Sequence, residues 1–542
     1  MTGSKRGAEE TTTESKLYLC QSVCAVCGRP VPAGYVRRGD AVYLEKNCPD
    51  HVASRVLASE DADAFERWLA FPSVTVPPRV FVTKGARGAF AGFAENGFAE
   101  NGLAESGRAE DGGDILNTEC PLHCGVCENH LMTACCVLLN VTARCNQHCP
   151  YCFAEAEKPD GPQASRDPQT DRDPSLADIG LRLDRLAELG EERKFNIQLS
   201  GGEPTVRDDL ADIIRLCKAK GFEYVQLNTN GRRLAEDAAY AKALKSAGLS
   251  TVFLQFDGTD DRVCLALRGE PLFAKKQSAI RNCGAAGLPV TLVPTILKNV
   301  NLPQVGAILD FMLANLSVVK GVHFQPASFF GRQPDERNAD GDYGERVTMF
   351  AVMDEIEKQT GGRVKKSDLA PISTGHPLCC FCAAFLKEAD GALRPLSSGG
   401  ACCGPGETAA DGACCGTDAP DVPCCGPGAT DPLEIIRRDR DFVLNKWDVP
   451  EPSESGPAAT DPCPRDGLLP TGAMSFDEAI HMFKSNMFTI SGMSFMDDTN
   501  LDAERLRRCR VQVFTEDERL VPFCGYYAAA GKRWQMSEKA WR

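Results

Sequence analysis

The residues best suited to chemistry in this chain are its cysteines, 27 of 542. Their spacing separates them into sets. The tightest is Cys145-Asn-Gln-His-Cys149-Pro-Tyr-Cys152. Three thiolates on one loop can hold three irons of a 4Fe–4S cluster and leave the fourth iron open to a ligand that is not protein. A structural zinc would want a fourth chain ligand nearby, and only His148 is offered. A second trio of identical spacing, Cys120, Cys124 and Cys127, is followed by Cys135. Four thiolates close a site, which suits electron transfer or structure, so this set is assigned to an auxiliary 4Fe–4S cluster, with zinc as the structural alternative. Cys136 could replace Cys135, but it would face the other way if a strand begins there.

Near the N-terminus, Cys24-Ala-Val-Cys27 and Cys48-Pro-Asp-His51 are two ligand pairs joined by a strand-like run, Ala41–Lys46, with Cys20 in reserve. The Cys24, Cys27, Cys48 and His51 set favours zinc by composition, and a rubredoxin-like iron is the other candidate. Towards the C-terminus, His376-Pro-Leu-Cys379, Cys509 and Cys524 are candidate ligands that no tight pair closes. Taken singly, such cysteines are more often small buried residues, and Cys217, Cys264 and Cys283 are read that way.

The remaining candidates stand where strands end. Ser200-Gly201-Gly202-Glu203-Pro204-Thr205 offers two glycines that let backbone approach a ligand closely, and a carboxylate that could pair with an ammonium. Asn228 and Asn230 offer amides suited to ribose hydroxyls, and Asp257 could accept a proton or contact substrate.

The elements that must position them alternate. Strands are expected at Val137–Val141, Phe195–Leu199, Tyr224–Leu227, Thr251–Phe256, Pro289–Ile296 and Gly321–Gln325, with helical spacing between them. This pattern predicts an α/β fold, a partial (β/α)6 barrel whose site lies at the C-terminal strand ends. Around it the chain divides into a metal-binding ribbon at 17–70, a linker with a pentapeptide repeat at 71–116, an auxiliary-cluster segment at 117–136 and the barrel at 137–345. A C-terminal cluster-binding region follows at 346–396 and 431–542, interrupted by a low-complexity Cys-Cys-Gly insertion at 397–430.

Cys145–Cys152, Gly201–Pro204 and the polar strand ends resemble the radical S-adenosylmethionine (radical SAM) superfamily. The resemblance implies that the open iron chelates SAM, that the methionine amino group sits at Gly201-Gly202-Glu203, and that Asn228 or Asn230 takes the ribose. Reductive cleavage would give a 5′-deoxyadenosyl radical that abstracts hydrogen from an unactivated carbon. The N-terminal pairs, the Cys120–Cys135 set, His376–Cys379 and Ile490–Phe495 with Cys509 and Cys524 resemble a narrower multi-cluster group. That group contains archaeal tetraether lipid synthase, earlier assigned as a dihydro-hydroxymethylpterin dimethyltransferase. It implies a second auxiliary cluster at Cys379, Cys509 and Cys524, a low-potential donor such as ferredoxin or flavodoxin, and coupling of lipid alkyl chains held in an apolar tunnel. Methyl transfer to a pterin-like heterocycle is the alternative. A non-catalytic iron–sulfur electron carrier is the reading from another class, but it leaves Gly201–Pro204 unexplained.

The formal net charge of −15 argues against binding the nucleic-acid backbone, which calls for clustered Lys and Arg. No run approaches the roughly 18 consecutive apolar residues of a membrane span, and the first residues lack a signal peptide's apolar stretch. The expectation is a cytoplasmic enzyme, with peripheral membrane contact if its substrate is lipid.

Overall fold

The computed structural model describes residues 14–78, 130–154, 156, 173–190, 195–333, 344–372, 374–396 and 485–530. The pentapeptide repeat, Cys120, Cys124, Cys127 and the Cys-Cys-Gly insertion lie outside them.

The N-terminal unit is an antiparallel sheet of β1 (Glu14–Val23), β2 (Pro30–Arg38), β3 (Ala41–Lys46) and β4 (Ser54–Ser59), in that order. Helix α1 (Ala62–Leu69) follows, its first turn capped by the Asp61 side chain accepting from Ala64 N. The apolar face of this unit, with Tyr35, Val42, Leu44 and Phe65, belongs to the same hydrophobic core as the rest of the molecule. Hydrophobic burial therefore fixes the ribbon to the barrel.

The barrel strands are β5 (Cys136–Thr142), β6 (Asn196–Gly201), β7 (Val225–Thr229), β8 (Thr251–Gln255), β9 (Val290–Val293) and β11 (Val319–Pro326), all paired in parallel, with the short β10 (Thr295–Ile296) beside β11. The connections carry α2 (Leu176–Leu189), α3 (Leu210–Ala219), α4 (Arg232–Glu236), α5 (Ala238–Ser246), α6 (Asp261–Arg268), α7 (Phe273–Ala285) and α8 (Val305–Ala314), and α9 (Met349–Gln359) follows β11. Each expected strand is present.

The C-terminal region then extends this sheet at both ends. After β12 (Cys380–Lys387) and β13 (Leu393–Pro395), β14 (Met487–Met493) joins β11 in parallel. Past α10 (Ala503–Arg507), β15 (Val511–Phe514) joins β5 in parallel, and β16 (Leu520–Pro522) and α11 (Phe523–Ala530) complete the chain's described part. Eight strands in the main order thus run parallel, with the short β10 parallel beside β11. Antiparallel β12 and β16 flank them, and among the described residues β14 and β15 do not pair with each other.

Alternation along the strands separates two faces. One face carries Ile197, Leu199, Leu227, Leu254, Leu292 and Phe324, all 0% exposed and packed with the helices. The opposite face carries Gln198, Asn228, Gln255, His323, Gln325 and Ser491, all partly exposed. Register confirms that these belong together, pairing Gln198 with Gln226 and His323 with Ser491. The helix-covered face supplies the core, and the other is the working face. No helix among the described residues is long and apolar enough to cross a membrane.

Candidate functional site

The ribbon site comes from the turn after β1 and the loop after β3. Gly28, at φ 72°, closes a tight turn in which its N–H donates to Cys24 O at 2.8 Å. Cys24, Cys27, Cys48 and His51 converge, with all four ligand atoms within 4.8 Å of one another. Cys48 Sγ lies 3.4 Å and Cys24 Sγ 3.7 Å from His51 Nδ1, and Cys27 and Cys48 Sγ are 3.9 Å apart. A tetrahedral ion with bonds of about 2.0–2.3 Å fits these separations. Burial would raise the Cys24 thiol, but backbone N–H groups of Cys27 and Val26 and the adjoining thiols outweigh it and hold the group below its usual value. Cys20 is no ligand here: it stands on β1 opposite Ala33 and is buried in the core.

The central loop leaves the end of β5 and carries Cys145, Cys149 and Cys152. Its path is set by backbone contact with the turn after β6. Gly202 N donates to Thr142 O at 2.8 Å and Glu203 N to Arg144 O at 2.9 Å. A Cβ on Gly201 would sit 2.1 Å from Thr142 O, and one on Gly202 2.2 Å from Arg144 O. Both glycines are therefore required by close approach of two backbones. The far end of the loop is clamped by Arg332, whose backbone exchanges hydrogen bonds of 2.9 Å with Cys152 and whose guanidinium donates to Cys149 O at 3.1 Å. Burial, the Glu203 carboxylate and the neighbouring thiols push the Cys145 thiol up to about 12. Three thiols on one loop, within electrostatic reach of one another and with no fourth thiol in the loop, fit a 4Fe–4S cluster with one open corner.

The Glu203 carboxylate is not free for an ammonium. Oε1 accepts from Thr205 N at 3.0 Å, Thr205 Oγ1 at 2.6 Å and Thr229 Oγ1 at 2.7 Å, and Oε2 accepts from Asn230 N at 2.6 Å. It is a strut between the ends of β6 and β7, leaving backbone as the ligand-facing part of Gly201–Glu203. Pro204 opens a short 3-10 turn, Pro204–Val206, that turns the chain towards α3. Asn230 reaches across to Asn146 Oδ1 in the central loop at 2.8 Å, while Asn228 lies on the working face and accepts from Gln198 Nε2 at 2.6 Å. Asp257 is likewise engaged: its carboxylate makes a buried ion pair with Arg268 and accepts from Thr295 N at 3.0 Å. It does not stand free as a proton acceptor.

The profile of the Radical SAM superfamily matches residues 139–312, and that of the HMPTM N-terminal zinc ribbon domain matches residues 17–60. The 7,8-dihydro-6-hydroxymethylpterin dimethyltransferase of Methanocaldococcus jannaschii is 30% identical over 521 residues, 93% of this chain and 92% of that enzyme. The chain belongs to this radical SAM family. The GTP 3',8-cyclase of Synechococcus elongatus is 34% identical over a shorter stretch, 32% of this chain and 50% of that one. Among solved structures, Streptococcus suis SuiB bound to S-adenosylmethionine aligns with a TM-score of 0.31 and 16% identity, over 40% of this chain and 45% of that chain. A radical SAM enzyme of this family holds a 4Fe–4S cluster and SAM, and its Cys-rich ribbon holds a mononuclear metal.

The distal cysteines of this radical SAM chain lie around the strands added by the C-terminal region. Cys379, ending the 3-10 turn Pro377–Cys379 before β12, receives Arg505 Nε at 3.4 Å, and Cys524 Sγ accepts from Met496 N at 3.2 Å. Burial and the charges of Cys524 and Cys379 push the Cys509 thiol well up, which puts the three within electrostatic reach. Cys135 adjoins the same region: its N–H donates to Arg510 O at 2.9 Å, its thiol lies 3.5 Å from that oxygen, and its charge reaches Cys380. Cys136 faces the other way, as expected, donating to Gln198 Oε1 on the working face at 3.1 Å. His376 is buried and accepts from Leu378 N through Nδ1, so it caps the turn before Cys379. Arg268, Arg332, Lys276 and Gln198 were not singled out from the sequence.

Proposed function

We propose that this radical SAM enzyme acts on a polar, planar heterocycle of the pterin class, transferring a one-carbon group to it, rather than coupling lipid alkyl chains. The observation that carries this reading is the working face, where Gln198, Gln226, Asn228, Gln255, His323 and Gln325 present amide and imidazole edges. Gln198 with Asn228, Gln255 with Lys276 and His323 with Ser491 already satisfy part of this face, and an alkyl chain laid on it would bury the remaining donor and acceptor capacity unmet, at about 1–3 kcal/mol for each group left so. A pterin's alternating ring donors and acceptors can satisfy them. Thr291 Oγ1 is buried with no partner among the described residues, as a group awaiting a polar ligand would be. Phe253, partly exposed on the same face, offers a ring for stacking. The name of the Methanocaldococcus relative supports the same substrate class.

When bound, the cluster at Cys145, Cys149 and Cys152 supplies with SAM a 5′-deoxyadenosyl radical for hydrogen abstraction. The chain's own part is to hold that loop through Arg332 and the Gly201–Gly202 contacts, and to offer the amide face to substrate. The reading takes zinc at Cys24, Cys27, Cys48 and His51. It takes one auxiliary cluster at Cys120, Cys124, Cys127 and Cys135 and a second at Cys379, Cys509 and Cys524. Electrons come from a soluble donor of the ferredoxin or flavodoxin kind, and membrane contact belongs to the lipid reading alone.

The test is 5′-deoxyadenosine release by anaerobically reconstituted protein offered a 7,8-dihydropterin or isoprenoid-chain lipid vesicles, with Cys149→Ala beside it. Stimulation by the pterin, with deuterium carried from it or from the SAM methyl into product, is expected. Stimulation by the vesicles alone would overturn the proposal.

A further inference from the structure

Arg268 ends α6 with its side chain 9% exposed, facing an Asp257 side chain that is 0% exposed. Nε and Nη2 hold the two carboxylate oxygens at 2.7 and 2.8 Å, and Nη2 also reaches Thr295 Oγ1 at 3.0 Å. The remaining nitrogen, Nη1, donates to Tyr151 O at 3.2 Å, inside the Cys149–Cys152 turn. Its charge reaches the Cys149 thiol and opposes the rise that burial imposes on it. Asp257 is held in turn by Gln255, whose Oε1 accepts from the buried Lys276 at 2.7 Å. A cation has thus been brought out of water to the turn that carries two cluster ligands and locked there by a paired carboxylate. Holding the loop does not require this, since Arg332 already clamps it from the other side.

We propose that Arg268, set against the Cys149–Cys152 turn, is a positioning residue that favours the reduced state of the SAM-binding cluster, with Asp257 setting the strength of that bias. Reduction takes one electron from a low-potential donor, with no proton and no bond made or broken. It adds one negative charge to a cluster whose ligand turn lies beside the guanidinium. In a buried site this charge is attracted to Arg268 and repelled by Asp257. Removing the arginine therefore makes reduction harder, and neutralising the aspartate makes it easier.

The experiment is potentiometric titration of the full-length reconstituted protein, following the part of the reduced-cluster EPR signal that changes when SAM is added. That selection separates the SAM-binding cluster from any auxiliary one. Arg268→Met is expected to shift the midpoint negative by the equivalent of about tenfold in the reduction equilibrium, about 59 mV for one electron. Asp257→Asn is expected to shift it positive. Opposite signs in the two variants support the proposal, because a purely structural role moves both the same way. Shifts of the same sign, or none in either, overturn it. Should Arg268→Met fail to load iron, the sign for Asp257→Asn decides alone: positive supports the proposal, and zero or negative overturns it.

Discussion

Glu203→Gln changes one carboxylate oxygen into an amide nitrogen, and the geometry allows no orientation that satisfies every partner. With the amide oxygen on the Thr205 and Thr229 side, the NH2 faces Asn230 N–H, a donor against a donor. With the amide flipped, the two hydroxyls can turn to accept, but Thr205 N–H still faces an NH2. One hydrogen bond to a charged group is lost either way, at about 1.5–3 kcal/mol. The loss falls on the strut that holds Asn230 against Asn146 in the central loop. If all of it appears in SAM binding, affinity falls by up to about 100-fold at 1.4 kcal/mol per decade. The assay is equilibrium dialysis of SAM against anaerobically reconstituted protein, with iron content measured beside it. Weaker binding at wild-type iron content is expected. Thr229→Val sharpens the test, because it removes a donor from Glu203 without touching its charge. A strut loses affinity in Thr229→Val as well, whereas a carboxylate that bound the ammonium directly would gain a free lone pair and keep it. Unchanged binding in Glu203→Gln, or unchanged binding in Thr229→Val, would refute the reasoning.

Three further outcomes follow from the same coordinates. His51→Ala leaves three thiols at the ribbon, and elemental analysis should find the mononuclear metal lost, or removable by a chelator that does not strip the wild type. Breaking the buried Arg346–Asp497 pair with Arg346→Met leaves an uncompensated carboxylate behind Phe329 N–H, and about 3–5 kcal/mol of stability should disappear, read as lowered resistance to denaturant. Burial pushes the Asp502 carboxyl up to about 6. The folded state then holds its proton longer than the unfolded state, so stability is lost as pH rises from about 4 through 6. Asp502→Asn keeps the cap on Glu504 N–H and should flatten that loss, adding on the order of 3 kcal/mol near neutrality, as thermal scans across pH would register.

The barrel was legible because parallel strands covered by helices carry long apolar runs. Val225, Leu227, Val252 and Leu254 are 0% exposed and announce themselves in any hydrophobicity pattern. The ribbon ligands were equally plain, since two short-spaced pairs leave few alternatives. What the residues concealed lay in partnerships across the fold. Thr229, Asn230 and Arg268 stand 11 to 27 positions from the acids they engage, and nothing local shows that Glu203 and Asp257 are consumed by them. The polar working face was hidden for a related reason: Gln198, Asn228 and His323 are separate interruptions in three apolar strands until the sheet puts them on one face. The C-terminal cysteines were visible as thiols, but their approach depends on β14 and β15 being added to opposite ends of one sheet.

That addition imposes an order of events on a chain emerging from the ribosome. The six barrel strands are complete at Pro326, yet the strands that cover the outer edges of β11 and β5 begin only at Met487 and Val511. At about 5–20 residues per second, the roughly 160 residues between Pro326 and Met487 take on the order of 10–30 s to synthesise. Throughout that interval two parallel edges stand bare, each a template for pairing with another chain. The ribbon waits as well, because Ser22, Tyr35 and Lys46 find their partners in Leu501, Asp502 and Asp498. The last described stretch therefore acts as a fastener for the whole molecule. Chains released early should be lost to aggregation even when every ligand of the central loop is already present.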